Sequence, residues 1–372
     1  MSEINASNFK KEHGDLAPDL VGVTELTSPY FFVPPSGTTA ERPQDCEPGT
    51  LRFNTDIGSL EVFRGKTIGW EQIQRRQTST VAPRGLYGLG HSSPAYFNNI
   101  DFITITTTGN AQDFGDLTVT KGFMAAAGSK TRAVFSRSYN GSGNNTMDFV
   151  TIANQGNALD FGDATTTGWS AGGCGDSTRG LFGGGAPTIN NLEFFTFDST
   201  GNATDFGDLY SKRDMGACSN STRGIFAGGG DIVIDTMHYV TIQSLGDGVD
   251  FGNLSASRSG TTGSSSSTRG IFAGGFQPTP VATIEFVTIS STGNTTDFGD
   301  LNWTSYRGAS CCSSTRSCIV EGVSTKTDAK GTAIDFITIA TTGNAIDFGD
   351  KTVGSNQLTE SGTSNAHGGL SG

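Results

Sequence analysis

The chain has 372 residues, 53 of them glycine, with only 16% charged residues and a net charge of −12. This acidic balance leaves no Lys/Arg surplus to displace phosphate counterions, which excludes an electrostatic nucleic-acid binder, and no apolar run approaches the roughly 18 residues of a membrane-spanning helix. Thr, Ser, Gly, Val, Ile and Phe dominate over helix formers, so the composition predicts an all-β chain of short strands joined by glycine-containing turns.

Residues 1–20 are polar and aperiodic, with Lys10-Lys11-Glu12-His13-Gly14-Asp15, and read as an N-terminal arm. Met1-Ser2-Glu3-Ile4-Asn5 lacks the basic and apolar regions of a secretory signal, so synthesis in a cytoplasm is expected. Residues 21–76 read as a small β-hairpin module. Leu51 and Phe53 alternate with Thr50, Arg52 and Asn54, Leu60 and Val62 flank Glu61, and Asn54-Thr55-Asp56-Ile57-Gly58 supplies the turn. Gly69-Trp70-Glu71-Gln72-Ile73 is a third strand candidate. A module of about 60 residues is small for independent stability, and oligomerisation or attachment to a partner is the usual remedy.

Residues 77–372 form an array. One copy runs Ser267-Thr268-Arg269-Gly270-Ile271-Phe272-Ala273-Gly274-Gly275, then Ile284-Glu285-Phe286-Val287-Thr288-Ile289, then Asp297-Phe298-Gly299-Asp300-Leu301. The Arg recurs at Arg84, Arg132, Arg179, Arg223, Arg269 and Arg316, with His367 in the matching place near the C-terminus. The last Phe recurs at Phe114, Phe161, Phe206, Phe251, Phe298 and Phe348. The spacing of 44 to 51 residues suits a four-stranded propeller blade. Each unit divides into a small-residue strand before the Arg, a Gly-Ile-Phe-Ala-Gly-Gly strand, an alternating Ile-Glu-Phe-Val-Thr-Ile strand and a strand around Asp-Phe-Gly-Asp.

Six sets of the last three strands stand beside a seventh copy of the first, Leu358 to Leu370. In the simplest closure this C-terminal segment completes the first unit, whose second strand is Gly85-Leu86-Tyr87-Gly88, since a ring leaves no free sheet edge. In the alternative, Ile73 to Ala82 supplies that strand. The expectation is a six-bladed β-propeller preceded by a small β-rich N-terminal module. The Gly-Gly strand followed by an aromatic strand resembles the kelch repeat, with Phe298 and its equivalents where that family usually has Trp; the resemblance implies the fold and no activity.

Few residues carry a catalytic signature. Six Asp-Phe-Gly triplets without a nucleotide loop read as strand residues, Phe plugging the core between units and Asp accepting turn hydrogen bonds. The Asp297/Asp300 spacing lacks the dense oxygen loop of a calcium site. The repeated Arg reads as structural, paired with an Asp of its own or the adjacent unit; an anion-binding ring is the competing reading. Cys174, Cys218 and Cys311 each precede their unit's Arg by five residues and read as core fillers. Cys46, Cys312 and Cys318 form no Cys-x-x-Cys pair, and His13, His91, His238 and His367 have no ligand spacing, so neither metal nor cofactor is expected.

In an up-and-down blade the turns between first and second and between third and fourth strands share one face, and here they repeat as Ser-Thr-Arg-Gly and Thr-Gly-Asn. The other face carries the divergent loops. Tyr96, Tyr139, Trp169, Tyr210, Trp303 and Tyr306 fall in those loops, beside Lys212, Arg213 and Arg307. Aromatic planes next to hydrogen-bonding groups suit sugar rings or protein surfaces, making Tyr96, Tyr139, Trp169, Tyr210, Arg213, Trp303, Tyr306 and Arg307 the candidate ligand-binding face.

The run Gly49-Thr50-Leu51-Arg52-Phe53-Asn54-Thr55-Asp56-Ile57-Gly58-Ser59-Leu60-Glu61-Val62-Phe63, with Gly69-Trp70-Glu71, resembles a module of bacteriophage tail-fibre and other virion structural proteins. The repeat array is similar to repeats in fibre-like virion proteins of phages infecting marine cyanobacteria. The resemblance implies a virion location, contacts with other virion proteins through residues 21–76, homo-oligomerisation (a trimer in the fibre-like case) and a host surface glycan or protein as partner. A tail fibre or tail-associated adhesin is the leading expectation. A head-decoration or tail-assembly protein and a polysaccharide-degrading enzyme are the alternatives, the last without a recognisable acid pair.

Overall fold

A computed structural model describes residues 34–43, 45–73, 82–92, 95–187, 189–210, 213–230, 233–324, 331–353 and 359–370. The arm expected at residues 1–20 and residues 74–81 of the alternative closing segment lie outside these. The chain divides into two compact units, Met1–Thr80 and Val81–Gly372.

In the first unit, strands Ser36–Gly37, Leu51–Asn54, Ser59–Phe63 and Trp70–Gln72 form one sheet in chain order, the first pair parallel and the others antiparallel. Leu51 pairs with Val62 and Asn54 with Ser59, as the turn chemistry requires, and Gly58 takes φ 61° to close the loop. The covered face of this sheet is the polar one. Arg52, Asn54 and Glu61 are buried, Glu61 in an ion pair with Arg42 and a 3.0 Å hydrogen bond from Asn54, while Trp70 Nε1 donates to the Pro43 carbonyl. Phe63 is the one buried apolar side chain among this unit's described residues, and Leu51 and Leu60 on the opposite face are 44% and 38% exposed.

The second unit is all-β, with six antiparallel sheets of four main strands each, and no sheet closes on itself. Sheet I consists of Thr359–Ser364, Arg84–Ser92, Asn99–Thr104 and Gln112–Asp116; sheet II of Ala125–Gly128, Arg132–Ser136, Gly143–Thr151 and Leu159–Gly168. Sheet III has Gly172–Gly175, Arg179–Gly185, Ile189–Thr196 and Thr204–Asp208; sheet IV has Gly216–Ser219, Arg223–Ala227, Thr236–Thr241 and Val249–Asn253. Sheet V has Thr262–Ser265, Arg269–Ala273, Thr279–Thr288 and Thr296–Tyr306; sheet VI has Ala309–Cys312, Arg316–Val320, Ala333–Thr338 and Ile346–Asp350. The C-terminal strand is the first strand of sheet I, with Ser364 opposite Gly85 and Gly362 opposite Tyr87.

Successive sheets are joined in the same four ways, and sheet VI is joined so to sheet I. Their first strands lie side by side in a closed succession. The approach is close because these strands are made of small residues: a Cβ on Gly173 would stand 2.3 Å from the Ala126 carbonyl oxygen, and one on Gly362 would stand 2.5 Å from that of Ser310. Six apolar clusters fill the gaps between neighbours, each containing one of the repeated phenylalanines; Phe348 of sheet VI, for example, packs with Tyr87 and Ile103 of sheet I.

The third join uses the turn after the third strand. Its glycine N–H donates to the carbonyl of the preceding sheet's repeated Phe at 2.7–2.9 Å, from Gly156 on Phe114 round to Gly109 on Phe348. The residue after it accepts through its side chain from the backbone N–H two residues beyond that Phe, as Asn344 does from Asp300 at 3.0 Å and Asn110 from Asp350 at 3.1 Å. The Asp-Phe-Gly motif therefore acts through its backbone and its buried ring, and the Asp297 side chain is exposed.

The repeated Arg supplies the fourth join. Its guanidinium lies 4.2–5.1 Å from an aromatic ring on its own sheet's third strand (Phe102, Phe149, Phe194, Tyr239, Phe286, Phe336). That ring meets the repeated Phe edge-on. Nη1 then donates at 2.6–3.2 Å to a carbonyl beyond the next sheet's third strand, Arg84 to Ile152 and Arg316 to Ile105 among them. The expected Asp partner is thus corrected to a carbonyl. A guanidinium already stacked on a ring needs only an acceptor at its rim, and the end of a strand offers one whatever its sequence.

Candidate ligand-binding face

Two sets of loops share one end of the second unit, and backbone geometry fixes their positions. Two residues before the first strands of sheets II to VI the chain takes the left-handed conformation, at Phe123 (φ 57°), Ser170 (59°), Asp214 (56°), Gly260 (66°) and Arg307 (56°). Each of these residues after Phe123 donates its N–H to the carbonyl of the one before: Ser170 to Phe123, Asp214 to Ser170, Gly260 to Asp214 and Arg307 to Gly260, at 2.7–2.9 Å. This arc frames the space between the first strands. Four of its five members are not glycine, so their strained backbone is held by the hydrogen bonds around it.

Arg307 spans the arc. Nε and Nη2 donate to the two carboxylate oxygens of Asp214 at 3.1 and 2.7 Å, and the guanidinium lies 5.4 Å from the Phe123 ring centroid and 5.6 Å from that of Tyr306. Sheets II, IV and VI are tied across the opening by these three side chains. Tyr306 in turn packs on Phe276 at 5.2 Å.

Three predicted residues meet beside this strut. Tyr139 lies 6.2 Å from Tyr96 and 4.9 Å from Trp169, and all three are half-buried. Phe123 and His91 complete the cluster, His91 stacking on Phe123 at 5.5 Å and meeting Tyr96 at 4.5 Å. Burial holds the His91 imidazolium pKa below its usual value and, with Tyr139 nearby, raises that of the Tyr96 phenol. The chain reaches these positions through short extra hairpins, His91 opposite Tyr96 and Ser138 opposite Asn144.

The other predicted residues stand elsewhere. Tyr210 is 77% exposed and touches His238, and Arg213 is half-buried next to Asp214. Trp303 is 7% exposed, because the fourth strand of sheet V extends through it to Tyr306, and its ring is withdrawn from solvent. Lys212 lies outside the described residues. Phe123 and Asp214 were not singled out from sequence; their signal was a constant offset of two residues before the first strand, visible only once the strand boundaries are known.

Beneath the loops runs a buried polar layer. The third strands carry Asp101, Asp148, Glu193, His238, Glu285 and Asp335 at equivalent positions, all buried. A residue at or just beyond the fourth strand of the preceding sheet caps each carboxylate: Thr352 on Asp101, Thr118 on Asp148, Thr165 on Glu193, Ser255 on Glu285 and Asn302 on Asp335. Lys121, Arg137 and Arg258 add buried ion pairs to Asp148, Glu193 and Glu285. Among the described residues Asp335 has no ion pair of this kind, and burial pushes its carboxyl pKa up to about 6, against the hydrogen bonds from Asn302.

At the opposite end, Gly368–Leu370 folds into a turn between the first strands, where a Cβ on Gly369 would overlap the Gly175 carbonyl. The Gly369 N–H donates to His367 Nδ1 at 3.2 Å, leaving Nε2 to donate to the Gly128 carbonyl at 2.7 Å. The described residues contain no group of three His, Cys, Asp or Glu side chains able to hold a metal ion, and no described helix is long and apolar enough to cross a membrane. Neither protein-family models nor curated proteins give a match to this chain.

Proposed function

We propose that the second unit is a six-bladed β-propeller and that the chain is a virion structural protein, a phage tail fibre or tail-associated adhesin whose loop-bearing face binds a host surface glycan or protein. The ring reading rests on the joins that link sheet VI to sheet I as they link every other pair. The recognition reading rests on one observation: half-buried aromatic rings from sheets I, II and III converge at the end where the repeats diverge. A rigid ring with individual loops at one end is a common arrangement for recognition. The N-terminal sheet, with its exposed Leu51 and Leu60, is the part that attaches or oligomerises. Weak single sites then act together through multivalency.

The test is adsorption. Purified full-length protein carrying a fluorescent label is expected to bind host cells and to compete with virions for them, and Tyr139→Ala is expected to weaken both. Immunogold labelling is expected on the tail. Labelling confined to the capsid, with no binding to cells, would replace this reading with a head-decoration role.

A further inference from the structure

We propose that the opening framed by Phe123, Asp214 and Arg307 is a pocket for the terminal residue of a neutral glycan. This rests on the reading of the loop-bearing face as the recognition face.

Two small cavities adjoin there. One, of about 70 Å³, lies among Phe123, Asp214, Arg307 and Thr261. The other, of about 80 Å³, is lined by residues of all six first strands and shares Thr261 with the first. By the same measure a water needs roughly 10–15 Å³, so each holds several waters or one edge of a hexose, and neither admits a chain of sugars. Two hydroxyls that line this space have no hydrogen-bond partner among the described residues: Thr261 Oγ1, on a side chain only 5% exposed, and Ser361 Oγ, on one 6% exposed. A buried hydroxyl without a partner is costly, and a polar occupant of the cavity removes that cost.

The chemistry of the wall selects the occupant. Thr261 and Ser361 each donate and accept, which matches the hydroxyl and hydroxymethyl groups of a sugar. Arg307 is the cation at the rim, and its charge is already met by Asp214 at 2.7 and 3.1 Å, so an anionic ligand gains little from the guanidinium and meets a carboxylate beside it. A cation finds one paired carboxylate and no ligand set. Phe123, with His91 stacked on it at 5.5 Å, gives the apolar C–H face of a sugar ring a surface at the rim. The Tyr96–Tyr139–Trp169 cluster continues outward from there, where the next residues of a glycan would run.

The experiment is saturation-transfer NMR on the full chain with the methyl glycosides of glucose, galactose, mannose, rhamnose and N-acetylglucosamine, and with glucuronate and sulfate as charged probes. At least one neutral glycoside is expected to bind, at millimolar affinity. Thr261→Val keeps the side-chain shape and Ser361→Ala removes only the hydroxyl; each is expected to weaken binding about tenfold while leaving the melting temperature in place. Leu245→Ala, at an exposed side chain outside the pocket, is expected to leave it unchanged. The pocket is refuted if no neutral glycoside binds, if both variants bind like the parent, or if glucuronate or sulfate binds in preference. A chain that adheres to host cells yet binds none of these sugars loses the pocket and keeps the adhesin reading; one that adheres to nothing loses the reading itself.

Discussion

Arg269 shows what a single repeated residue does. Its guanidinium stacks 4.6 Å from the Phe286 centroid and donates to the carbonyls of Ile339 and Ala340, at 3.0 and 2.9 Å, on the next sheet. Arg269→Met keeps the length of the stem and loses both interactions, so a destabilisation of about 2 kcal/mol is expected in urea unfolding. The recurrence and bridging role of this Arg were legible in the sequence. Its partner was not, because a backbone carbonyl leaves no mark on residue identity. Gly299 makes the same point about backbone. It sits at φ +144°, and a Cβ there would stand 2.5 Å from the Gly343 oxygen. Gly299→Ala is expected to cost about 3 kcal/mol, and Gly141→Ala (φ +108° with nothing within 4 Å) about 1 kcal/mol from strain alone, both read from chemical denaturation. Asp335 gives a pH signature. Its folded pKa, up to about 6, exceeds the ordinary 3.8, so its contribution is fully present below about pH 4 and is lost as pH rises through about 6. The melting temperature of the parent is expected to fall across that window relative to Asp335→Asn, whose profile there should be flatter; parallel profiles would refute the assignment.

The elements were largely readable because the period-two alternation and the turns repeat. Thr296–Asp300 in sheet V and its equivalents fall where the Asp-Phe-Gly motif put the fourth strand. Elements that depart from the repeat were harder. The fourth strand of sheet V runs on to Tyr306 and carries Trp303 inward, and in the N-terminal sheet the polar side is covered although Leu51, Phe53, Leu60 and Val62 alternate cleanly. Alternation shows that a strand has two sides; which side is covered depends on what lies above it, here the Arg42–Glu61 pair. The first strand of sheet I is the element with the largest predicted effect. It pairs with Arg84–Ser92, and Ser364 Oγ donates to the Cys312 carbonyl of sheet VI at 2.6 Å. Deleting residues 359–372 exposes the inner edges of sheets I and VI. Amide exchange at Leu86, Tyr87 and Gly88 is expected to accelerate by several orders of magnitude, while amides at Phe182 and Phe226 in sheets III and IV change far less.

At the scale of the molecule, how the repeats are joined decides how they unfold. In an open array each unit contacts only its neighbours, the end units fray, and stability is a sum of local terms. Here the end units are neighbours: Phe348 packs with Ile103, Arg316 donates to the Ile105 carbonyl, and the Gly109 N–H donates to the Phe348 carbonyl. No unit has a free face to fray from, and each core is shared by two sheets, so losing one sheet uncovers two cores. The second unit is therefore expected to unfold in one transition, with Trp169 and Trp303 fluorescence, far-UV circular dichroism and exchange of core amides giving the same midpoint in urea. Arg316→Met at the seam between sheets VI and I is expected to shift that common midpoint by about as much as Arg269→Met, by the same loss of about 2 kcal/mol. Separate midpoints for the two tryptophans, or a seam substitution markedly milder than its internal counterpart, would mean that the contacts between sheets VI and I open before the rest of the second unit unfolds.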